Sequence, residues 1–262
     1  MDSMNKTLPT FLLLLLVLSC ASVQAFWSID NYQTDDNPFS GEFTTNYESA
    51  LKEPVASNKF ASFSNMLTKF KKPQEQAELE VTMGMGYDMW YPGSEARKAI
   101  EHFGKALFHD LPPTVLLDVY LRRGGCKERV EGKQAALEDY LRGLAECLRY
   151  QLPAKPPEPP QGGHYQVTYS GTGDDPWTQY YRQSNEDLGR AIRQYRFEQV
   201  MVERRDYLIE AAKRVSGGDA EQIRLAVEAA VRDKSKIPQL VALLTTPNPK
   251  PQNLNTNTTQ KP

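Results

Sequence analysis

The apolar residues between positions 94 and 150 recur at the spacing of α-helices, and this pattern constrains the fold more than any other feature. Its strongest part is a run of leucines at intervals of four, three and four residues, Leu137, Leu141, Leu144 and Leu148. Such a run lies on one face of a helix, because a helical turn contains about 3.6 residues. We therefore predict a helix from about Gly132 to Tyr150.

Two further helices are predicted before this one. The first begins near Ser94 and ends before Pro112-Pro113, since proline lacks the amide proton that a helix interior needs. Its apolar face consists of Ala99, Ile100, Phe103, Ala106 and Leu107. The second begins at Thr114 and ends at Gly124-Gly125, because glycine is favoured where helices end. The three helices predict a block of helical hairpins over residues 94–151.

The first and third of these helices share one spacing of small and aromatic residues. Ala99-x-x-x-Phe103-x-x-Ala106 recurs 37 residues later as Ala136-x-x-x-Tyr140-x-x-Gly143. This spacing resembles the second-helix signature of tetratricopeptide repeats, whose period is about 34 residues. The resemblance covers residues 94–150 and implies closely packed hairpins, in which the aromatic ring fills the space that the small residues leave. The Trp and Leu-Gly positions of that family's first helix are not recognisable.

Residues 183–245 are predicted to form a second helical block around one long helix. This helix is capped by Ser184 or Asn185, reaches Val215 and ends before Gly217-Gly218. One apolar stripe along it consists of Leu188, Ile192, Tyr195, Val202 and Ile209. Two shorter helices follow before the chain becomes polar.

Three other segments differ in composition from the helical blocks. Residues 26–93 predict an extended arm with short helices at 46–52 and 60–71. Residues 152–182 are rich in Pro and Gly and predict a stiff linker of polyproline type. Residues 246–262 have almost no apolar side chains and predict a disordered tail. The predicted fold class is mostly α, with helical hairpins, a long carboxy-terminal helix and an extended irregular amino-terminal arm.

Residues 1–25 have the features of a secretion signal. The uncharged apolar run over residues 11–18 would rise only about 12 Å as a helix, against the ~30 Å thickness of a bilayer core. Val23-Gln24-Ala25 provides a cleavage site of short residues. Cys20, however, follows Val17-Leu18-Ser19 as in bacterial lipoproteins, and lipidation of this cysteine stays open. We predict an exported protein, located in the periplasm or anchored to the outer membrane of a bacterial envelope.

Charge and cysteine content narrow the class of protein further. The formal net charge is −2, and the basic surface of a nucleic-acid-binding protein is missing. Removal of the predicted signal leaves Cys126 and Cys147, which an oxidising compartment would favour as a disulfide. The predicted helix, however, places Cys147 about 20 Å from the loop that holds Cys126, whereas a disulfide needs Cα atoms within about 7 Å. A disulfide and two free thiols both stay open.

The sequence contains one segment with a candidate ligand chemistry and no catalytic motif. A His-Glu-x-x-His, a Gly-x-Ser-x-Gly and a phosphate-binding glycine loop are all missing, and we predict no catalytic residue. Met83, Met85 and Met89 bring three thioethers together, and soft thioethers select Cu(I). His102 or Trp90 would complete such a site. The alternative is a buried loop in which flexible methionines fill gaps beside aromatic residues.

Aromatic residues also cluster outside the predicted helices. Trp27, Trp90, Tyr91 and Trp177 either dock irregular segments onto the core or contact a partner protein, since Trp and Tyr dominate interfaces. The function predicted from these features is a non-catalytic scaffold or protein-interaction role in a larger envelope assembly. The expected partners are envelope proteins, not nucleic acid, and the membrane is contacted only through lipid on Cys20. Alternative functions are a periplasmic copper carrier and, third, an envelope enzyme.

Overall fold

The computed structural model describes residues 38–89, 95–155, 176–217 and 219–246, with the side chains of 176–188 excepted. This part of the chain contains nine α-helices, one short 3-10 helix at Lys234–Lys236, and no strand. The α-helices are α1 (Gly41–Lys52), α2 (Ala56–Lys69), α3 (Pro73–Met89), α4 (Ala96–Ala106), α5 (Pro113–Val130), α6 (Lys133–Cys147), α7 (Pro176–Ser216), α8 (Ala220–Ala230) and α9 (Ile237–Thr245). The mostly α fold class, with helical hairpins and a long carboxy-terminal helix, is confirmed.

Consecutive helices pack against each other from α1 to α7, and α8 packs on α9. Further contacts join helices that are two apart in the chain, namely α3 with α5, α5 with α7, α6 with α8, and α7 with α9. The result is a layered array in which each hairpin lies on the preceding one. Long helices of this kind bury apolar faces against both neighbours, which is where most of their stability comes from.

The core of the array consists of three apolar clusters. The first joins α1, α2 and α3 around Phe43 and Phe63. The second joins α3, α4 and α5 around Phe103, and the third joins α5 to α9 around Tyr140. Helices α3 and α5 therefore each contribute to two clusters, and they connect the amino-terminal hairpin to the carboxy-terminal helices.

Helix α3 corrects the prediction of a methionine-rich loop and adds a third helix to the two predicted within residues 26–93. The two short helices predicted in the arm correspond to α1 and α2, but residues 73–89 form a third helix of 17 residues. Most of this helix is buried, including Glu75, Glu78 and Glu80. Because neighbours cover nearly its whole circumference, its apolar residues show no single helical stripe, and the periodic pattern that marks an exposed helix is missing.

Two predicted boundaries also need correction. Helix α5 does not end at Gly124-Gly125 but continues through both glycines to Val130. Helix α7 does not begin at Ser184 or Asn185 but at Pro176, inside the predicted linker, so that it contains 41 residues. Proline suits this start, since the first turn of a helix needs no amide proton from it.

The beginning of the predicted linker lies against α7. The guanidinium of Arg205 donates hydrogen bonds to the carbonyl oxygens of Pro153, at 2.7 Å, and Ala154, at 3.2 Å. The predicted signal peptide with Cys20, most of the linker and most of the predicted tail lie outside the described residues.

Candidate functional site

The hairpins α3–α4 and α5–α6 are built on the same glycine–aromatic contact. In the first, Gly84 of α3 lies so close to the ring of Phe103 that an added Cβ would stand 2.7 Å from two ring carbons. In the second, Gly124 of α5 lies against the ring of Tyr140, and an added Cβ would overlap the ring. In both cases glycine on the first helix makes room for the aromatic ring of the second.

The small residues of the shared spacing are buried around these rings. Ala99 and Ala106 lie in the cluster of Phe103, and Ala136 lies in the cluster of Tyr140. Gly143 receives the side chain of Leu208, since a Cβ there would stand 3.0 Å from a methyl carbon of that leucine. The close helix approach that the spacing implies is therefore present in both hairpins, and the second hairpin also contacts α7.

Buried polar contacts link the helices of each hairpin through the residue that precedes the aromatic residue. Before Phe103, the Nδ1 atom of His102 lies 2.6 Å from a carboxylate oxygen of Glu80. Before Tyr140, the fully buried Asp139 accepts a hydrogen bond of 2.8 Å from the Nε atom of Arg123. The ammonium of Lys127 lies 3.2 Å from the same oxygen of Asp139. These charges are satisfied within the array, so their role is to hold its helices together.

Another buried pair connects the second hairpin to α7. Arg204 of α7 donates a hydrogen bond of 3.3 Å to Asp118 of α5, and both side chains are buried. Burial raises the pKa of Asp118, although the positive charges of Arg204 and Arg122 oppose this effect. Nearer the carboxy end of α5, Glu128 pairs with both terminal nitrogens of Arg214.

Two buried carboxylates hold α1 on α3. Ser40, which caps α1, donates to Glu75 from its amide at 3.1 Å and from its hydroxyl at 2.8 Å. The hydroxyl of Tyr47 donates to Glu78 at 2.8 Å and lies 2.7 Å from that of Thr82. Burial raises the pKa of Glu78 to about 7, and the hydrogen bond from Tyr47 opposes this only in part. Glu78 is therefore a buried carboxyl group that changes charge near neutral pH.

The structure does not bring the predicted copper ligands together. Met83 belongs to the first cluster and Met85 to the second, because residues two positions apart in a helix are separated by about 200° around its axis. Met89 is 45% exposed, and its sulfur lies 3.4 Å from a guanidinium nitrogen of Arg122. His102 pairs with Glu80 and stacks on the ring of Tyr87 at 5.3 Å between centroids. Met83 and Met85 instead fill the core between helices, whereas Met89 lies at the surface.

Cys126 and Cys147 are both free and buried, so the structure does not contain the disulfide that was left open. Cys126 lies in the second cluster and Cys147 in the third. Cys126 is a residue of α5 rather than of a loop, because that helix continues past Gly124-Gly125. Burial raises the pKa of each thiol to about 12, which suppresses the thiolate form that reacts.

The aromatic residues predicted to contact a partner remain largely outside the described part of the chain. Trp27, Trp90 and Tyr91 are not among the described residues. Trp177 was placed outside the helices, but it lies in the first turn of α7, because this helix begins at Pro176. The prediction that these residues bind a partner stays a prediction.

A polar cluster that the sequence did not predict lies where the carboxy end of α3 meets α5. Asp88 of α3 forms an ion pair with Arg129 of α5, and Cys126 donates a weak hydrogen bond of 3.5 Å to the same carboxylate. Arg122 reaches this carboxylate only at 4.0 Å and donates a bond of 3.4 Å to the sulfur of Met89. The Nε atom of Arg122 is buried and has no hydrogen-bond partner. The only sequence signal is the helical spacing of Arg122 and Arg129.

Within the described residues, no three His, Cys, Asp or Glu side chains come close enough to hold a metal ion. None of the helices in the same part of the chain is long and apolar enough to cross a membrane.

Comparison of the chain with protein-family models, with curated proteins and with solved structures gives no match.

Proposed function

We propose that this chain is a non-catalytic scaffold protein that is exported to a bacterial envelope and binds partner proteins there through its helical array. The observation that carries the proposal is the repeated hairpin, in which Gly84 with Phe103 and Gly124 with Tyr140 make the same contact. Stacked helix pairs form extended surfaces, and proteins built in this way commonly use such surfaces for binding. A relationship to tetratricopeptide repeats is part of this proposal.

The use of the buried polar residues supports a scaffold rather than an enzyme. Glu80, Asp118 and Asp139 each pair with a basic residue of another helix. Groups that are consumed in such links hold helices in register, and an acid, base or nucleophile for catalysis would instead have to reach a substrate. Both cysteine thiols are buried with raised pKa values, which is unlike a catalytic cysteine.

In vivo cross-linking tests the proposed function directly. The full chain with a carboxy-terminal tag is expressed in its source organism, cross-linked, and purified from detergent-solubilised envelopes. We expect a defined envelope protein at a fixed ratio to the chain, identified by mass spectrometry. A chain that remains a solitary monomer in the envelope fraction would contradict the proposal.

The proposed export has its own measurement, which does not depend on any partner. The intact mass of the mature chain should lack residues 1–25, or should begin at Cys20 with the added mass of lipid. A full-length chain in the cytoplasmic fraction would exclude export and leave the fold unaffected.

A further inference from the structure

We propose that the surface formed by Met89, Arg122 and Arg129, hereafter the Arg122 surface, binds a carboxylate side chain in an acidic segment of a partner protein. The inference rests on the proposed scaffold function and adds the chemistry of the partner. The side chain of Arg122 is 28% exposed and that of Arg129 is 47% exposed, although the Nε atom of Arg122 is buried.

Arg122 lacks the acceptors that its guanidinium requires. This group has five N–H donors in a planar fork. Its hydrogen bond to the protein goes to the thioether of Met89 at 3.4 Å, and a thioether is a weak acceptor. The nearest oxygen of Asp88 stands at 4.0 Å, beyond hydrogen-bonding range, and the buried Nε atom has no partner. An acceptor that reaches a half-buried guanidinium in this state therefore binds with a favourable free energy.

Other arginines that link helices in the described part of the array have a carboxylate contact that Arg122 lacks. Arg123 binds Asp139 through two nitrogens, and Arg214 binds Glu128 in the same way. Arg129 takes the carboxylate of Asp88, which Cys126 also contacts. Asp88 is therefore the carboxylate that Arg122 and Arg129 share at this surface, since the buried Asp118 near Arg122 is paired with Arg204. A second carboxylate, from outside the chain, would give Arg122 the planar two-point contact that Arg123 and Arg214 already have.

The exposed methionine indicates that the occupant is a protein segment and not a small anion. Met89 is 45% exposed and lies directly beside the Arg122 guanidinium. A thioether side chain adapts its shape to apolar groups of different form. A segment in which an acidic residue is flanked by aliphatic residues can satisfy Arg122 and cover Met89 at once. A free anion would leave Met89 in contact with water.

A peptide titration tests this inference on the full mature chain. The probe is an acetylated, amidated hexapeptide of alternating glutamate and leucine, and its matched control replaces every glutamate with glutamine. We expect the Arg122 Nε–H signal in ¹⁵N NMR spectra to shift saturably with the glutamate peptide and not with the glutamine peptide. Acetate should produce this shift only at far higher concentration.

Substitutions identify the residue responsible. Arg122→Gln should lower the affinity for the glutamate peptide, measured by calorimetry, by about tenfold or more, because it removes a charge-assisted bidentate contact. Arg122→Lys retains the charge but not the fork and should give an intermediate loss. The matched control is Arg224→Gln, since Arg224 is a surface residue of α8 that already pairs with Glu221 and Glu228. This control should retain wild-type affinity.

Three results would overturn the inference. Equal binding of the glutamine peptide would show that the surface recognises apolar side chains alone. Acetate binding as tight as that of the peptide would identify a small-anion site. If cross-linking still captures the envelope partner with Arg122→Gln, the scaffold function stands and this inference falls.

Discussion

Gly124 lies against the ring of Tyr140, and this contact leaves no room for a side chain in the middle of α5. The adjacent Gly125 is different, because an added Cβ there would meet only the Tyr140 hydroxyl at 4.0 Å. Two neighbouring glycines in one helix therefore have different roles. The first is required by packing, whereas the second lowers helix stability without a compensating contact.

Substitution of these glycines by alanine should change stability in opposite directions. Gly124→Ala forces the helices apart, and we expect it to lower the free energy of unfolding by about 1–3 kcal/mol. Gly125→Ala should raise it by about 0.5–1 kcal/mol, because alanine favours the helix. Urea denaturation followed by circular dichroism measures both changes. Equal effects of the two substitutions would contradict the packing of Tyr140 on Gly124.

Removal of the buried Asp139 carboxylate should destabilise the chain strongly. Asp139→Ala leaves the charges of Arg123 and Lys127 in the core without their partner, at a cost of about 3–5 kcal/mol. Glu138→Gln serves as the control, because Glu138 forms only a surface pair with Arg142. This control should change stability by less than about 1 kcal/mol. Thermal melts at constant pH distinguish the two variants, and a mild effect of Asp139→Ala would argue against a buried ion pair.

Glu78 should make the stability of the folded chain fall as pH rises towards neutrality. Its pKa is raised from 4.5 to about 7 by burial, so the folded state holds its proton more tightly than the unfolded state. The contribution of Glu78 is therefore complete below pH 4.5 and is lost as pH rises to about 7. The loss amounts to roughly 3 kcal/mol at most.

The variant Glu78→Gln isolates this contribution. Its urea midpoint, measured from pH 4 to pH 8, should lack the decline that Glu78 adds to the wild-type profile. Identical profiles for the two proteins would mean that Glu78 does not titrate within this range. Glu48→Gln is the control, since Glu48 forms an exposed pair with Lys52.

The two cysteines of the helical array should react only after unfolding. Burial raises the pKa values of Cys126 and Cys147 to about 12, and both thiols are excluded from solvent. A colorimetric thiol reagent should therefore detect neither residue in the native chain at neutral pH and both residues in guanidinium chloride, without added reductant. If denaturation exposes no thiol, the mature protein contains the disulfide instead.

The sequence predicts those parts of the fold in which one helix face is exposed. The spacing of Ala136, Tyr140 and Gly143 identifies a packed helix, because these residues recur at the helical period and polar residues lie between them. Helix α3 was missed for the opposite reason, since neighbours cover almost its whole surface and no polar stripe remains. The pair Gly124-Gly125 was interpreted as a helix end because rules based on neighbouring residues do not include Tyr140. The ring of Tyr140, which requires a glycine at position 124, belongs to a residue 16 positions away.

Local sequence patterns indicate the helical spacing of Arg122 and Arg129 but do not predict the Arg122 surface. Arg122 and Met89 are 33 residues apart in the chain, and nothing in either neighbourhood specifies their contact. The missing acceptor at Nε is a property of the folded array alone. Met83 and Met85 are separated in the fold for a related reason, because they are two residues apart in sequence but belong to two clusters once the segment is helical.

The position of α3 between two clusters has a consequence for how the chain unfolds. Leu79 and Met83 are part of the first cluster, while Val81 and Met85 are part of the second. Loss of the amino-terminal hairpin would expose one side of α3 to water and weaken the packing of the other side as well. Because helix α5 contributes to both the second and the third cluster, the weakened packing would extend to the third cluster. The described array should therefore melt as a single cooperative unit, and a partner bound at one layer would slow the opening of the others.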